Sequence, residues 1–250
     1  MLELLLKKFE KYRKTSPITS VVNHSVTFIR DSSYLHHLKT IKEDIWLIAP
    51  TFLQNEIRKY QEAFCPTVNI HYTDWPEFEF TIFHNRVNER KRKTLPSIGD
   101  ECKIHKSVVL DADGLKVVNG PNGSKIQFFH TGHIIIGDRV EIGPLTVIHR
   151  SLMGVTSIGS DCKIGSRNII THDCKIGRDN IIDCGVIFNR GVITGVNCWF
   201  ASGSIIRHYV NICDDVLIGM GSLVLKNIEK SGIYFGSPCK YVKEVGLHDF

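Results

Sequence analysis

A large apolar side chain recurs at every sixth position from Ile158 to Val224, and this period constrains the fold of the 250-residue chain more than any other feature. An α-helix repeats about every 3.6 residues and a strand about every two, so neither produces a sustained period of six. Eleven of these twelve positions are large and apolar, and Thr194 is the exception. Four residues after each usually stands a smaller residue, such as Cys162 or Val186. A repeat of this kind predicts a hexapeptide parallel β-helix.

Three hexapeptides make one coil of eighteen residues, with the large residue inside and the small one in the corner. Stacked coils lie at roughly the 4.8 Å strand spacing and bury one continuous core. The same phase begins at Ile98 and is interrupted around 119–123, where Asn-Gly-Pro-Asn-Gly predicts a turn or hairpin. A second interruption, at 151–157, adds four residues. The count is eighteen hexapeptides, or about six coils.

The first 95 residues have no six-residue period. Their patterns predict helices at 1–13, 33–41 and 51–64, and strands at 21–22, 26–29, 45–48 and 68–72. We therefore expect a mainly β protein: a small α/β domain (1–95), a β-helix domain (96–230) and a C-terminal tail (231–250). The chain has no Gly-x-Gly-x-x-Gly or Walker loop, so neither of these nucleotide-binding motifs is available.

Composition narrows the class of protein further. The net charge of +5 is mild, and the one basic run, at 90–93, is interpreted as a solvated linker rather than a nucleic-acid surface. No stretch reaches the roughly 18 apolar residues of a membrane span, and the N-terminus reads as an amphipathic helix rather than a signal sequence. Four of the eight cysteines (Cys102, Cys162, Cys174 and Cys198) occupy the small interior position. They are interpreted as packing residues of a cytoplasmic protein.

One corner of the predicted β-helix carries titratable and basic residues. Steps of eighteen from His172 reach Arg190, His208 and Lys226, with Arg207 alongside. Such a column suits an extended ligand that carries phosphates, and a solvated basic stripe is the simpler alternative. An imidazole titrates near neutrality, so His172 is a candidate general base, and Asp173 is placed to orient its ring or to hold the acceptor substrate.

A second candidate site lies in the first domain. Phe28 and Tyr34 flank a strand-to-helix turn that contains Asp31. Two aromatic faces can hold a planar base between them, and a carboxylate accepts hydrogen bonds from a base or a ribose. The alternative is that both rings are packing residues.

Three segments, 136–150, 156–159 and 171–177, together resemble the lipid A pathway N-acyltransferases that act on UDP-3-O-acylglucosamine. The resemblance extends through Asp113 and the inserted hairpin to the first domain. It implies a left-handed β-helix, a homotrimer and a general base at His172. It also implies a nucleotide pocket at Phe28, Asp31 and Tyr34, whose aromatic rings would stack on uracil.

The final third, at 197–200, 215–227 and 236–240, is similar to the bacillosamine and perosamine N-acetyltransferases. This similarity implies acetyl-CoA as a cosubstrate, with no tightly bound cofactor and no metal. The residues expected to bind CoA are Arg190, Arg207, His208, Gly219, Gly221, Lys226 and Lys240. A backbone N–H near Gly191, one coil beyond His172, is the candidate oxyanion donor.

The chain departs from the lipid A pattern at three places. Gly165-Ser166 replaces an Asp-Asn pair, Tyr209 stands where a second histidine is expected, and ten residues follow Lys240 in place of a helical extension that engages acyl carrier protein. These departures favour CoA as the donor. The predicted function is transfer of an acyl group, most simply acetyl, from acyl-CoA to the amino group of a nucleotide-linked sugar.

Other functions remain open at this stage. An O-acyltransferase or the carrier-protein-dependent lipid A enzyme is the nearest alternative. A γ-type carbonic anhydrase needs three histidines on zinc, for which His130, His133 and His149 form the one cluster in the sequence. A non-catalytic scaffold subunit would bind no CoA.

Overall fold

The computed structural model describes residues 7–9, 12, 14–41, 44–65, 68–89 and 95–246. The chain divides into two compact units, which are described separately. The first comprises residues 1–92 together with 115–129, and the second comprises 93–114 together with 130–250.

The first unit is built on a three-stranded parallel sheet with the strands Val26–Phe28, Trp46–Pro50 and Asn69–Thr73 in that order. Its α-helices are Gln54–Phe64 and Pro76–Asn88, and its 3₁₀ segments before the hairpin are Ile18–Ser20, Ser32–Thr40 and Thr51–Leu53. The predictions at 26–29, 45–48, 51–64 and 68–72 agree with these elements to within two or three residues. The element at 33–41 is 3₁₀ rather than α-helical. Residues 21–22 are not a strand, and most of the helix predicted at 1–13 lies outside the described residues.

The helix Pro76–Asn88 was not predicted from the sequence. Pro76 occupies its first turn together with Glu77 and Glu79, a composition that suits the positive end of a helix. The apolar residues do not form a single stripe, because seven of its thirteen residues are buried, among them Phe78, Phe80 and Phe83. A helix covered on most sides lacks the amphipathic period by which helices are recognised.

The inserted segment forms the predicted hairpin, with antiparallel strands Val117–Asn119 and Lys125–Gln127 around the turn Pro121–Gly123. It belongs to the first compact unit, so the expected domain boundaries are wrong for 115–129. The Asn85 amide accepts the Phe129 N–H at 2.9 Å and donates to the Gln127 carbonyl at 2.7 Å. The buried His84 ring stacks on Phe128 with centroids 4.3 Å apart. These contacts attach the hairpin to the helix Pro76–Asn88.

The second unit is a three-sided parallel β-helix. Its first face contains the strands Ser97–Ile98, His133–Ile136, Val155–Ile158, Lys175–Ile176, Ile193–Thr194 and Asn211–Ile212. Its second face contains Lys103–Ile104, Glu141–Ile142, Lys163–Ile164, Ile181–Ile182, Trp199–Phe200, Val216–Ile218, Gly232–Gly236 and Cys239–Lys243. Its third face contains Val109–Ala112, Val147–His149, Ile169–Ile170, Ile187–Phe188, Ile205–Ile206 and Leu223–Val224. The prediction of a left-handed parallel β-helix of about six coils is confirmed.

The core follows the hexapeptide pattern. The large repeat residues from Ile158 to Val224 are buried, and so are the smaller corner residues from Cys162 to Ser222. Thr194, the polar exception, is also buried, and its hydroxyl oxygen accepts the Gly177 N–H at 3.1 Å and the Asn180 amide at 2.9 Å. Thr194 therefore fits inside the β-helix because both of these internal donors reach its hydroxyl.

Two further features of the fold are the cysteines and the C-terminal segment. All eight cysteines are free, and burial raises the pKa of Cys174 to about 12, which keeps this thiol protonated and inert. The described part of the predicted tail, residues 231–246, is not simply a tail. The strand Gly232–Gly236 pairs in parallel with Val216–Ile218, and Cys239–Lys243 then pairs antiparallel with it. Among the described residues, no helix is long and apolar enough to cross a membrane.

Candidate active site

The strands of the third face place four predicted site residues at one corner of the β-helix. Ile170, Phe188, Ile206 and Val224 are paired in register. Two residues after each comes His172, Arg190, His208 or Lys226. We call this the His172 corner. Its successive residues are separated by roughly one strand spacing of about 4.8 Å.

His172 is 7% exposed, and its Nδ1 lies 3.0 Å from Oδ2 of Asp173. Two opposing effects act on the pKa of the Asp173 carboxyl, and they are unequal. Burial would raise its pKa, but hydrogen bonds from His172 and Ser151 and the charges of His172 and Arg190 outweigh burial and lower the pKa to about 2. An ionised carboxylate can only accept hydrogen bonds, so Nδ1 of His172 must be the donor. The lone pair of the neutral ring is then on Nε2, which is the arrangement a general base requires.

Four donors surround the Asp173 carboxylate. Oδ1 accepts the Ser151 hydroxyl and the Leu152 N–H, the latter at 3.0 Å. Oδ2 accepts His172 Nδ1–H and also Nε of Arg190 at 3.2 Å. The carboxylate is therefore held from both sides, and its orientation toward His172 is fixed.

The interruption of the repeat at 151–157 creates this environment. In each of the next two coils, the residue after the corner donates its N–H to a backbone carbonyl of the preceding coil. The Gly191 N–H donates to the His172 carbonyl, and the Tyr209 N–H donates to the Arg190 carbonyl. At Asp173 the N–H donates instead to the Thr156 hydroxyl at 2.9 Å. The extra residues thus replace a regular corner with a short loop that reaches the carboxylate.

The proposed oxyanion role of Gly191 is wrong as stated. Its N–H already donates to the His172 carbonyl at 3.1 Å as part of the regular corner. Among the described residues, no acceptor is found for the preceding N–H, that of Arg190. Arg190 lies eighteen residues beyond His172, at the equivalent position of the next coil.

Arg190 also differs from the expectation that it binds CoA. Its Nε is engaged by Asp173, and its guanidinium carbon lies 5.4 Å from the centre of the Tyr209 ring. By contrast, Arg207, His208 and Lys226 are exposed. Arg190 therefore holds Asp173, whereas Arg207, His208 and Lys226 are accessible to a ligand.

The remaining predicted CoA residues lie away from the His172 corner. Gly219 and Gly221 follow Val216–Ile218 and occupy the corner between the second and third faces. The Phe235 ring covers Gly219, so a Cβ at this glycine would overlap the ring. Gly221 has φ +61° with open space where a Cβ would be. Lys240 is exposed on the strand Cys239–Lys243. The structure does not bring these three residues together with His172.

Sequence analysis missed a group of histidines beside His172. A Cβ built on Gly114 would lie 2.7 Å from His172 Cδ2, 3.2 Å from His130 Nε2 and 3.4 Å from His149 Nδ1. Three imidazoles therefore meet at a point where only glycine leaves room for the backbone. Burial and the charge of His172 lower the pKa of His149, so this ring is neutral at pH 7.

The carbonic anhydrase alternative gains no support from this cluster. His133 lies on the first face, where its Nε2 is 2.8 Å from the Ser97 hydroxyl. Within the described part of the chain, no group of three or more His, Cys, Asp or Glu residues could hold a metal ion.

The candidate nucleotide residues lie in the first unit. The ring centre of Phe28 is 4.7 Å from that of Phe80, so one of its faces is packed inside the unit. Asp31 caps the Ser32–Thr40 segment by accepting the Ser33 N–H at 3.0 Å. The hydrogen bond from the Ser33 hydroxyl lowers the pKa of Asp31. Tyr34 is half-buried against the apolar core. These contacts account for the packing of all three residues, and the nucleotide role stays a prediction.

Comparison with known proteins supports the resemblance that the motifs indicated. No protein-family model matches the chain. UDP-3-O-acylglucosamine N-acyltransferase of Coxiella burnetii (strain Dugway 5J108-111) is 36% identical over 151 residues, which is 55% of this chain and 40% of the relative. The same protein from strain RSA 331 matches equally well. The chain thus spans well under half the length of these curated relatives.

A solved structure gives the same fold. UDP-N-acetylglucosamine O-acyltransferase from Moraxella catarrhalis superposes with a TM-score of 0.53 at 22% identity, over 58% of this chain and 55% of that one. The chain therefore has the left-handed β-helix fold that acyltransferases of this kind share. Its sequence similarity to UDP-3-O-acylglucosamine N-acyltransferases is the more specific finding.

Proposed function

We propose that this protein transfers an acyl group, most simply acetyl, from acyl-CoA to the amino group of a nucleotide-linked sugar. The observation that carries the proposal is the hydrogen bonding of the buried His172 with Asp173, because it leaves Nε2 of His172 as the base. Similarity to a protein named an N-acyltransferase of a UDP-linked sugar supports the substrate class.

The residues suggest the following steps. Nε2 of His172 takes a proton from the amine as its nitrogen attacks the thioester carbonyl, and a C–N bond forms. The oxyanion of the tetrahedral intermediate accepts the backbone N–H of Arg190. The C–S bond then breaks, and the imidazolium returns its proton to the leaving thiolate. Asp173 stabilises the positive ring between these steps without itself taking the proton.

The donor is proposed to be acyl-CoA rather than acyl carrier protein. Arg207, His208 and Lys226 are exposed along the His172 corner and offer positive or titratable groups to phosphates. Assays with acetyl-CoA and with acetylated carrier protein, each with amino and hydroxyl sugars, distinguish this proposal from its alternatives. Transfer only from carrier protein, or only to a hydroxyl, would replace the donor or the acceptor while leaving the role of His172 intact.

We expect Tyr34→Ala to raise the KM for the nucleotide sugar and to leave kcat within about twofold. Base–aromatic stacking contributes about 1–3 kcal/mol per base, which corresponds to roughly a 5-fold to 150-fold rise in KM. Tyr60→Ala is the matched control, because Tyr60 also packs against the apolar core of the first unit. An equal change in KM for both variants would contradict a nucleotide role for Tyr34.

We further propose a homotrimer that buries the outer surface of the third face. Six aliphatic residues lie on that surface in register: Val109, Val147, Ile169, Ile187, Ile205 and Leu223. Val109 and Ile205 are exposed, and the other four are partly exposed. A continuous apolar row of this kind on the outer surface of a sheet marks an interaction surface. The first face carries Lys175, Ile193 and Asn211 at the equivalent positions and has no such row.

We expect Ile205→Glu to convert the trimer to monomers in analytical ultracentrifugation, because a carboxylate would be buried in the apolar contact. Ile193→Glu introduces the same charge at a similarly exposed isoleucine, 42% against 38% for Ile205, and should remain trimeric. Dissociation by Ile193→Glu alone would assign the contact to the first face instead.

A further inference from the structure

Ser151 is placed where it can control the His172–Asp173 pair. It lies in the loop that interrupts the repeat, is 1% exposed, and donates its hydroxyl hydrogen to Oδ1 of Asp173. A step of eighteen residues along the sequence does not connect Ser151 with Asp173. Across the interrupted coil Ile148 pairs with Ile170, a step of 22, and the same step joins Ser151 to Asp173.

The direction of the hydroxyl is determined by its other contact. The Gly154 N–H donates to the Ser151 oxygen at 2.9 Å, so this contact takes one of its lone pairs. A hydroxyl has one hydrogen to give, and an ionised Asp173 has none, so the Ser151 hydrogen must point to Asp173. Ser151 therefore acts as a one-way donor to the carboxylate.

The backbone around Ser151 keeps this donor in place. The Gly132 N–H donates to the Ser151 carbonyl at 3.1 Å, and the Thr131 N–H donates to the Leu152 carbonyl at 2.8 Å. A Cβ on Gly132 would come within 2.6 Å of the Ser151 side chain and carbonyl, so glycine permits this close approach. The loop is thus attached on one side to residues 131–133 and on the other to Asp173.

We propose that Ser151 is a positioning residue that fixes the rotamer and the ionised state of Asp173, and thereby holds His172 with its lone pair on Nε2. The proposal rests on the proposed acyl transfer and deepens it. It assigns the interruption of the repeat a part in catalysis, because the loop supplies two of the four donors to the carboxylate.

We expect Ser151→Ala to lower kcat about tenfold, near the lower end of what a hydrogen bond to a charged group contributes, with little change in either KM. A carboxylate that is free to turn away from the ring stabilises the imidazolium less, so the acidic limb of the pH–rate profile should move to lower pH. Ser151→Thr, which keeps the hydroxyl, should restore most of the rate. Ser160→Ala is the matched control, because Ser160 caps the Asp138 N–H at a corner without catalytic groups.

A double-mutant comparison separates positioning from a merely structural role. In an Asp173→Ala background, Ser151→Ala should lower kcat by less than about twofold, because the carboxylate through which it acts is gone. An equal loss in both backgrounds, or an unchanged rate and pH profile in the single variant, would overturn the proposal. Ser151→Cys, nearly isosteric but a weaker donor, should show a partial loss and serves the same purpose if the alanine variant does not fold.

A spectroscopic measurement is independent of the assigned reaction. In histidine-selective ¹⁵N NMR of the whole protein, with the signal assigned by His172→Gln, the wild type should show a protonated Nδ1 and an unprotonated Nε2 when the ring is neutral. Ser151→Ala should mix the two tautomers. An identical tautomer in both proteins contradicts the role of Ser151, whereas the expected change without any acyl transfer would contradict only the proposed function.

Discussion

Replacing His172 by alanine is expected to lower turnover by at least about 100-fold, the lower end for loss of a general base. The reason is specific to this site. The ring is buried, its Nδ1 is occupied by Asp173, and Nε2 is left to take the proton of the acceptor. Because the histidine acts on the chemical step, kcat should fall while the KM values for both substrates change little.

His105→Ala is a suitable control for the His172 variant. His105 is exposed at another corner of the same β-helix, where it contacts Ser107. The control should retain full activity. A His172→Ala variant that is folded, trimeric and fully active would eliminate the general-base role, whatever the substrate proves to be.

Replacing Asp173 by asparagine should be nearly as damaging, with a loss on the order of 1,000-fold in kcat. The Ser151 hydroxyl and the Leu152 N–H would hold the amide oxygen at the position of Oδ1. The amide nitrogen would then face His172 and donate to Nδ1, which moves the ring proton to Nε2. A protonated Nε2 cannot act as the base.

Asp173→Ala provides the contrast for that prediction. Without any group at this position the ring loses its orientation but keeps access to both tautomers. The loss should therefore be about tenfold smaller than for asparagine. A larger loss for alanine than for asparagine would show that charge or packing at residue 173 matters and that the tautomer does not.

The sequence predicted the scaffold well because its repeat is a direct consequence of the geometry. Each buried position from Ile158 to Val224 has the same environment, so periodicity alone reveals both the coils and their register. The same register predicted His172, Arg190, His208 and Lys226 at one corner, and the paired strands place them there. In the β-helix, the sequence repeat is therefore enough to predict which residues lie next to each other in the structure.

Other features of the site could not be predicted from the hexapeptide repeat. Ser151 and Thr156 lie inside the interruption, where steps of eighteen fail and the loop conformation decides what reaches Asp173. The Gly191 N–H, the expected oxyanion donor, takes part in a regular corner hydrogen bond that the sequence spacing does not reveal. His130, which meets His172 with ring centres 5.2 Å apart, precedes the interruption and has no repeat spacing to reveal it.

The central claim is that the wild-type protein acylates a nucleotide-linked amino sugar with His172 as the base. The most direct measurement follows thiol release from acetyl-CoA with UDP-, dTDP- and GDP-linked amino sugars, for wild type and His172→Ala in parallel, and identifies the product by mass spectrometry. We expect thiol release that depends on one of these sugars, a product heavier by one acetyl group, and a rate at least about 100-fold lower in the variant. Equal rates in the two proteins, or no release with any amino sugar or carrier-bound donor, would contradict it.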